Sequence, residues 1–282
     1  MSTILNFPCG VERLSNGNTL ICDAGTESGA DSKILEVAPD GRIGWSWPDG
    51  LRFVHSCKEL GSGNRLIADT TNDRILEIDA SGQVVFSSDD WAGGTGRLSD
   101  GSHLRYPNNV QPLENGLIVV TDRNNSRFVV VDREGNASCQ LGEGIKHPHN
   151  CEQLENGHFI IANSDEDFVL EVDAEGSEVW RYGDGLDWPR DANRLENGNT
   201  LIADSRNSRV IEVTPEKRIV WEYRMQHFAN VYEAHRLANG NTLISDQQHK
   251  QVIEVNPGGD TVWRFHNYER HWNSFLYAKE SS

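Results

Sequence analysis

The chain has 282 residues, enough for one large domain with a full core or for two ordinary ones. It carries 43 Asp and Glu against 26 Lys and Arg, a formal net charge of -17, which argues against nucleic acid and anionic membranes as partners because both reward clustered basic residues. No stretch approaches the apolar length that spans a bilayer, and the start, Met1 to Pro8, lacks the basic and apolar regions of a secretion signal, so the expected location is cytoplasmic.

The expected elements are short strands, because Asn-Gly, Asp-Gly and Ser-Gly turns punctuate the whole length and no long helical period competes with them. From the N-terminus, one phrase recurs six times. It begins at Leu14 (Leu-Ser-Asn-Gly-Asn-Thr-Leu-Ile), Leu60, Leu113, Leu154, Leu195 and Leu237. The turn glycines Gly17, Gly63, Gly116, Gly157, Gly198 and Gly240 are spaced 46, 53, 41, 41 and 42 residues apart. A period near forty with four strands per unit is the mark of a β-propeller. The reading is a single all-β domain over 1–282, a six-bladed β-propeller with four antiparallel strands per blade. Its blades fall near 8–48, 53–88, 106–142, 147–183, 188–224 and 230–266, with a tail at 267–282.

Within each unit the outermost strand carries a large ring, at Trp45, Phe86, Trp180, Trp221 and Trp263, expected to fill the space between blades. The loops Asp69 to Arg74, Asp122 to Arg127 and Asp204 to Arg209 combine Asp, Asn and Arg and are expected to tie blades together. Two insertions break the period: Gly25 to Ser32, and Asp89 to Tyr106 with Trp91, Arg97, His103 and Arg105. Both fall on one face by strand parity, where they could cover an axial pocket as a lid. The aromatic tail, with Trp272, Phe275, Leu276 and Tyr277, is expected to pack against a blade edge. The cysteines Cys9, Cys22, Cys57, Cys139 and Cys151 show neither metal nor disulfide spacing and read as reduced thiols.

Because the units superpose, the residue five before each repeated Leu must point into one axial space, and these are Cys9, His55, Asn108, His149, Arg190 and Tyr232. The next residues are Gly10, Ser56, Asn109, Asn150, Asp191 and Glu233. A packed core would place apolar groups there, since unpaired buried polar groups cost several kcal/mol. Pro8, Pro107, Pro148 and Pro189 precede four of the six ring positions and hold the local backbone. His55 and His149 are expected to act as acid and base near neutral pH, with Arg190 and Tyr232 completing the catalytic set by holding an anion. Asn108, Asn109, Asn150, Asp191, Glu233, Ser56 and Trp91 are the candidate substrate-binding residues, with Asp191 and Glu233 orienting the basic groups. A divalent metal on His55, Asn108 and His149 is an open alternative, with two nitrogens and one oxygen as ligands. The other histidines, His158, His227, His235, His249, His266 and His271, share no position and read as surface or cap residues.

Units such as Trp188-Pro-Arg-Asp-Ala-Asn-Arg-Leu-Glu-Asn-Gly-Asn-Thr-Leu-Ile-Ala-Asp resemble those of bacterial arylsulfotransferase-like and quinoprotein-like propellers over nearly the whole chain. That resemblance implies sulfuryl transfer through a central histidine, here His149 or His55, with Arg190 and Asn108 or Asn150 as oxyanion binders. Lactonase-type propellers, with Glu, Asn and Asp on calcium, match at Asn108; amidating-lyase-type propellers, with three histidines on zinc, match at two positions. The expected function is acid–base chemistry (elimination, cyclisation or hydrolysis) on a small polar or anionic substrate, and the competing class is a propeller that binds a ligand or protein without catalysis.

Overall fold

A computed structural model describes residues 4–48 and 50–266, and the aromatic tail lies outside them. Each blade is a four-stranded antiparallel sheet whose strands run outward from the axis in chain order. Blade 1 is β1–β4 (Pro8–Arg13, Thr19–Asp23, Lys33–Val37, Ile43–Trp47) and blade 2 is β5–β8 (Ser56–Glu59, Arg65–Asp69, Arg74–Ile78, Val84–Ser87). Blade 3 is β9–β12 (Pro107–Pro112, Ile118–Asp122, Arg127–Val131, Ala137–Leu141) and blade 4 is β13–β16 (Asn150–Gln153, Phe159–Asn163, Phe168–Val172, Glu178–Tyr182). Blade 5 is β17–β20 (Pro189–Arg194, Thr200–Asp204, Arg209–Val213, Ile219–Arg224) and blade 6 is β21–β24 (Val231–Arg236, Thr242–Asp246, Gln251–Val255, Thr261–His266). This is the six-bladed propeller expected from the repeat.

The repeated phrase is architectural, residue by residue. Its glycine closes the first turn at φ between 83 and 86° in all six copies, a conformation that other residues adopt only with strain. The Asn after it donates from Nδ2 to a Glu on the third strand of the same blade: Asn18 to Glu36, Asn64 to Glu77, Asn199 to Glu212 and Asn241 to Glu254, at 2.6–2.7 Å. His158 takes the Asn place in blade 4 and meets Glu171 at 2.8 Å. The other oxygen of each Glu pairs with an arginine of the next blade, in Arg65–Glu36, Arg133–Glu77, Arg194–Glu171, Arg236–Glu212 and Arg13–Glu254. Each of these guanidiniums also lies over the fourth-strand ring of the preceding blade, Arg65 on Trp45 at 4.0 Å and Arg236 on Trp221 at 4.6 Å. The indoles of Trp180, Trp221 and Trp263 then donate to the Pro215, Pro257 and Pro39 carbonyls of the next blade at 2.9–3.0 Å.

The seam between blades 3 and 4 departs from this pattern, since Val130 stands where the others carry Glu. There the Gln111 amide exchanges hydrogen bonds with the Gln153 backbone at 3.0 and 2.6 Å, and Phe128 packs on Phe159 at 4.4 Å. Blades 6 and 1 close the ring through side chains. Leu5, Val11, Ile21, Leu35 and Val37 pack with Leu243, Val252 and Phe265, and Arg13 pairs with Glu254.

The loop acids differ from expectation, since their bonds brace the segment that leads into their own blade and not a neighbouring blade. Asp69, Asp122 and Asp204 accept from the backbone N–H groups of Arg52, Arg105 and Asp187 and from the Arg and Asn of their own loops. The long insertion differs from expectation. Trp91 is buried among Leu66, Leu98, Leu104 and Val110 in the seam of blades 2 and 3, and its Nε1 donates to the Arg133 carbonyl at 2.9 Å. That carbonyl is the counterpart of the Pro39, Pro215 and Pro257 acceptors, so Trp91 supplies the seam indole that blade 2 lacks at Phe86. It therefore serves the seam and not substrate binding. Much of the rest of the insertion walls a surface cavity of about 580 Å³ together with Asn72 and Asp73, while its last residue, Tyr106, reaches the axial ring 5.7 Å from His55.

Truncating Arg236→Ala removes an ion pair and a stacked cation and leaves Glu212 without its partner. The expected loss is about 1–3 kcal/mol in urea unfolding. Trp221→Phe, which deletes one hydrogen bond, is expected to cost about 1 kcal/mol; equal costs would contradict the seam as described.

Candidate functional site

The innermost strands place two polar layers on the axis through a shared irregularity. Arg190 falls between the pairs Pro189↔Asp204 and Asp191↔Ala203, and Asn108 between Pro107↔Asp122 and Asn109↔Thr121. Similar register shifts hold Cys9 and Gly10 in β1 and Tyr232 and Glu233 in β21. A β-bulge of this kind re-aims side chains, so consecutive residues both turn inward. In blades 2 and 4 the ring residue stands just before the strand, where His55 N and His149 N bond the Ala68 and Ala162 carbonyls at 3.4 and 3.1 Å.

The layer of following residues is a belt joining neighbouring blades. Ser56 Oγ donates to Asn109 Oδ1 at 2.7 Å, Asn109 Nδ2 to Asn150 Oδ1 at 2.6 Å, and Asn150 Nδ2 to Asp191 Oδ1. Asp191 Oδ2 accepts from the Ala234 backbone at 3.0 Å and Asn193 Nδ2 at 2.8 Å, and Glu233 accepts from the Val11 backbone at 2.9 Å. Ser56, Asn109, Asn150, Asp191 and Glu233 are all buried, and their hydrogen-bonding capacity goes largely to one another and to neighbouring backbone. The expectation that Asp191 and Glu233 orient the basic residues of the ring is overturned, because neither is bonded to His55, His149 or Arg190.

The ring itself converges on Tyr232. His55 stacks on it at 5.3 Å and 24°, His149 meets its edge at 6.1 Å, and the Arg190 guanidinium lies over it at 4.6 Å. Cys9 packs behind with Phe7, Phe53 and Ala24. The two histidines are held alike. Thr70 Oγ1 donates to the Pro107 carbonyl at 2.8 Å and Ser164 Oγ to the Pro189 carbonyl at 2.5 Å, so each hydroxyl is left to accept, at 2.8 Å, from Nδ1–H of His55 and His149 respectively. Nδ1 is thereby the protonated nitrogen, and each Nε2 keeps a free lone pair with no protein partner among the described residues. Burial, then the charges of Arg190 and Arg123, hold both imidazoles well below the ordinary histidine range, so both are neutral bases at neutral pH. Burial pushes the Tyr232 phenol well up, keeping it protonated.

Thr70, Ser164, Arg123 and Gln247, whose Oε1 accepts from Arg190 at 3.2 Å, are the residues of this candidate site that sequence reasoning missed. Their signal was present: each directly follows the last residue of a second strand, in the frame Ala24, Thr70, Arg123, Ser164, Ser205, Gln247. His235, expected at the surface, instead enters a third axial layer with Glu12, Lys58, Gln111, Glu152 and Asn193 and bonds Glu233 at 3.2 Å. Burial opposes charge on Lys58, but Glu233, Glu152, Glu12 and Asp191 together raise its pKa.

The metal alternative fits poorly. Two imidazole nitrogens and the Asn108 oxygen are few ligands, and among the described residues no three His, Cys, Asp or Glu side chains are grouped for a metal ion. Two guanidiniums, Arg190 and Arg123, act on both histidines and would repel a divalent cation.

No family model and no curated protein matches the sequence. Among solved structures the chain is similar to a streptogramin B lyase at 13% identity and TM-score 0.66, with 96% of this chain and 86% of that one covered. It is similar to a catalytically inactive virginiamycin B lyase from Staphylococcus aureus with quinupristin, at 12% identity and TM-score 0.64 over 94% and 86% of the chains. It is also similar to the WD40 propeller domain of Doa1, at 12% identity and TM-score 0.63 over 87% and 76%. These likenesses establish the propeller fold. They do not single out the arylsulfotransferase-like group.

In nitrogen-detected NMR, His55 and His149 are expected to show the Nδ1–H tautomer and to titrate below about 6.5. Arg190→Met should raise both values. Because the folded values are depressed, the stability they contribute is present above about pH 6.5 and is lost as pH falls; His55→Gln with His149→Gln should flatten that acid slope.

Proposed function

We propose that the axial pocket on the face where the innermost strands begin is the active site of a small-molecule lyase. The observation that carries this reading is the pair of neutral imidazoles, each with Nδ1–H committed to a hydroxyl and Nε2 free, beside the Arg190 guanidinium. One imidazole takes a proton from a carbon acid. Arg190, with the Tyr232 hydroxyl, holds the negative charge that develops on the neighbouring carbonyl. The proton on the imidazolium then passes to the leaving group, directly or through the second histidine, so the elimination consumes no water and restores the neutral base. Two of the similar propellers are lyases, so the fold is one on which this class of reaction is found.

Sulfuryl transfer through His149 is a second use of the same free Nε2, which would attack the sulfur of an aryl sulfate, break its S–O(aryl) bond and release the donor phenolate, then pass the sulfo group to an acceptor phenol whose proton goes to His55.

The test incubates the protein in ¹⁸O-labelled water with quinupristin and with carbonyl compounds that bear an acidic C–H and a β leaving group. Elimination gives products free of ¹⁸O, and His149→Gln, His55→Gln and Arg190→Met should each lower the rate about 10²–10⁴-fold. The rate should hold below pH 6.5 and fall only where the depressed imidazoles become charged. Incorporation of ¹⁸O would replace elimination by hydrolysis, and variants as fast as the wild type would remove the histidines from the mechanism.

A further inference from the structure

On the face where the innermost strands begin, the axial ring is bordered by aromatic groups that proton transfer does not require. Two residues before each ring position stand Phe7, Phe53, Tyr106, His147, Trp188 and Asn230, all partly exposed. Four of them are held in the left-handed region, at φ 58° for Phe53, 57° for Tyr106, 43° for His147 and 57° for Trp188. For residues with a Cβ this costs roughly 1–2 kcal/mol each, and glycine would relieve it. The neighbouring blade enforces the geometry, with Asp73 Oδ1 accepting from Tyr106 N at 2.7 Å and Asp167 Oδ1 from Trp188 N at 2.8 Å. Phe53 and Tyr106 lie 5.0 and 5.7 Å from His55, Trp188 lies 5.7 Å from His149, and Arg206 backs Trp188 at 4.1 Å. Strain of this kind, held by the neighbouring blade and carrying bulky rings, is found at ligand clamps.

Beneath the collar, polar capacity is left unused. Asn108 is 3% exposed with neither amide atom bonded, Tyr232 is 4% exposed with its hydroxyl unbonded, and Nε of both Arg123 and Arg190 is buried without a partner. Neither arginine has a carboxylate in ion-pair range among the described residues, within a chain of net charge -17. Unpaired buried donors of this number are costly unless water or a ligand satisfies them. The floor is built of flat groups, with His55 and the Arg190 guanidinium stacked against Tyr232, and a guanidinium matches the two coplanar oxygens of a carboxylate.

We propose that the pocket takes a planar ring-bearing carboxylate, its carboxylate held by Arg190, Arg123 and Asn108 and its ring clasped by Phe53, Tyr106 and Trp188. This rests on the upper pocket being the ligand site and on no step of the elimination, and binding is read without turnover, so the two readings fail separately.

The test is calorimetric and NMR titration with benzoate and 2-naphthoate, against cyclohexanecarboxylate, benzyl alcohol, phenyl sulfate and phenyl phosphate. Both aryl carboxylates should bind at roughly millimolar affinity or tighter. The saturated acid and the alcohol should bind at least about fivefold more weakly, a gap of about 1 kcal/mol. Arg123→Met should weaken aryl carboxylate binding about tenfold or more while Arg123→Lys retains part of it, as expected for a charge-assisted contact. Trp188→Leu should erase the preference for aromatic over saturated acids, with Trp188→Phe as the variant that keeps the ring and the fold. Equal binding of saturated and aromatic acids would overturn the collar. Equal binding of the alcohol, or binding of phenyl sulfate or phosphate in preference to the carboxylates, would overturn the head group. No binding by either aryl carboxylate would overturn the proposal whole.

Discussion

Everything at the centre of this molecule depends on the directed belt that runs from Ser56 through Asn109 and Asn150 to Asp191 and on to the Ala234 backbone. Six wedge-shaped sheets meeting at an axis cannot fill it with apolar side chains alone, because the bulged innermost strands turn two consecutive residues inward. A chain of amides resolves the conflict, since each supplies a donor to one neighbour and an acceptor to the other. The chain needs an end that only accepts, and the buried Asp191 carboxylate supplies it. Polar residues in that layer are therefore explained by blade-to-blade cohesion, and the residues one step above are free for a different use.

That separation of layers gives the electrostatics their sense. The acidic side chains of the axis, Asp191, Glu233, Glu152 and Glu12, sit at or below the belt, where Lys58 and His235 answer them. Above it, two arginines face histidines and a phenol, with no carboxylate in ion-pair range among the described residues. A chain acidic overall thus keeps one locally cationic layer at its axis, where burial first, and then the charges that would attract an anion, keep the imidazoles neutral. Burial works in the same direction for the histidines, so basic nitrogen and anion-binding charge coexist without neutralising each other.

The sequence disclosed the blades and the ring because both follow from period alone: six copies of one phrase fix the glycine turns, and superposition fixes which residue of each copy faces the axis. It did not disclose that Asn109 and Asn150 bond each other, nor that Asp191 serves the belt, because those contacts join residues 41 apart whose pairing depends on the bulge. Trp91 misled for a related reason. An indole in an insertion looks like a lid residue, and only the seam geometry reveals that it replaces the indole absent at Phe86. Thr70 and Ser164 were legible in principle, since the frame that finds them is the one that finds the ring, read on the second strand. Their role was not, because it lies in which carbonyl of the next blade takes the hydroxyl proton.

That last contact ties the chemistry to the architecture. The Pro107 and Pro189 carbonyls that fix the Thr70 and Ser164 hydroxyls belong to blades 3 and 5, whereas the histidines belong to blades 2 and 4. Each imidazole therefore takes its tautomer from a neighbouring blade, and a proline at that place presents its carbonyl on a backbone whose φ is fixed. Slippage between blades would release the hydroxyl, free Nδ1 and remove the lone pair from Nε2. The interblade seams of Glu, Arg and Trp at the perimeter and the basicity of two nitrogens at the axis are thus parts of one mechanical problem, the relative placement of adjacent blades.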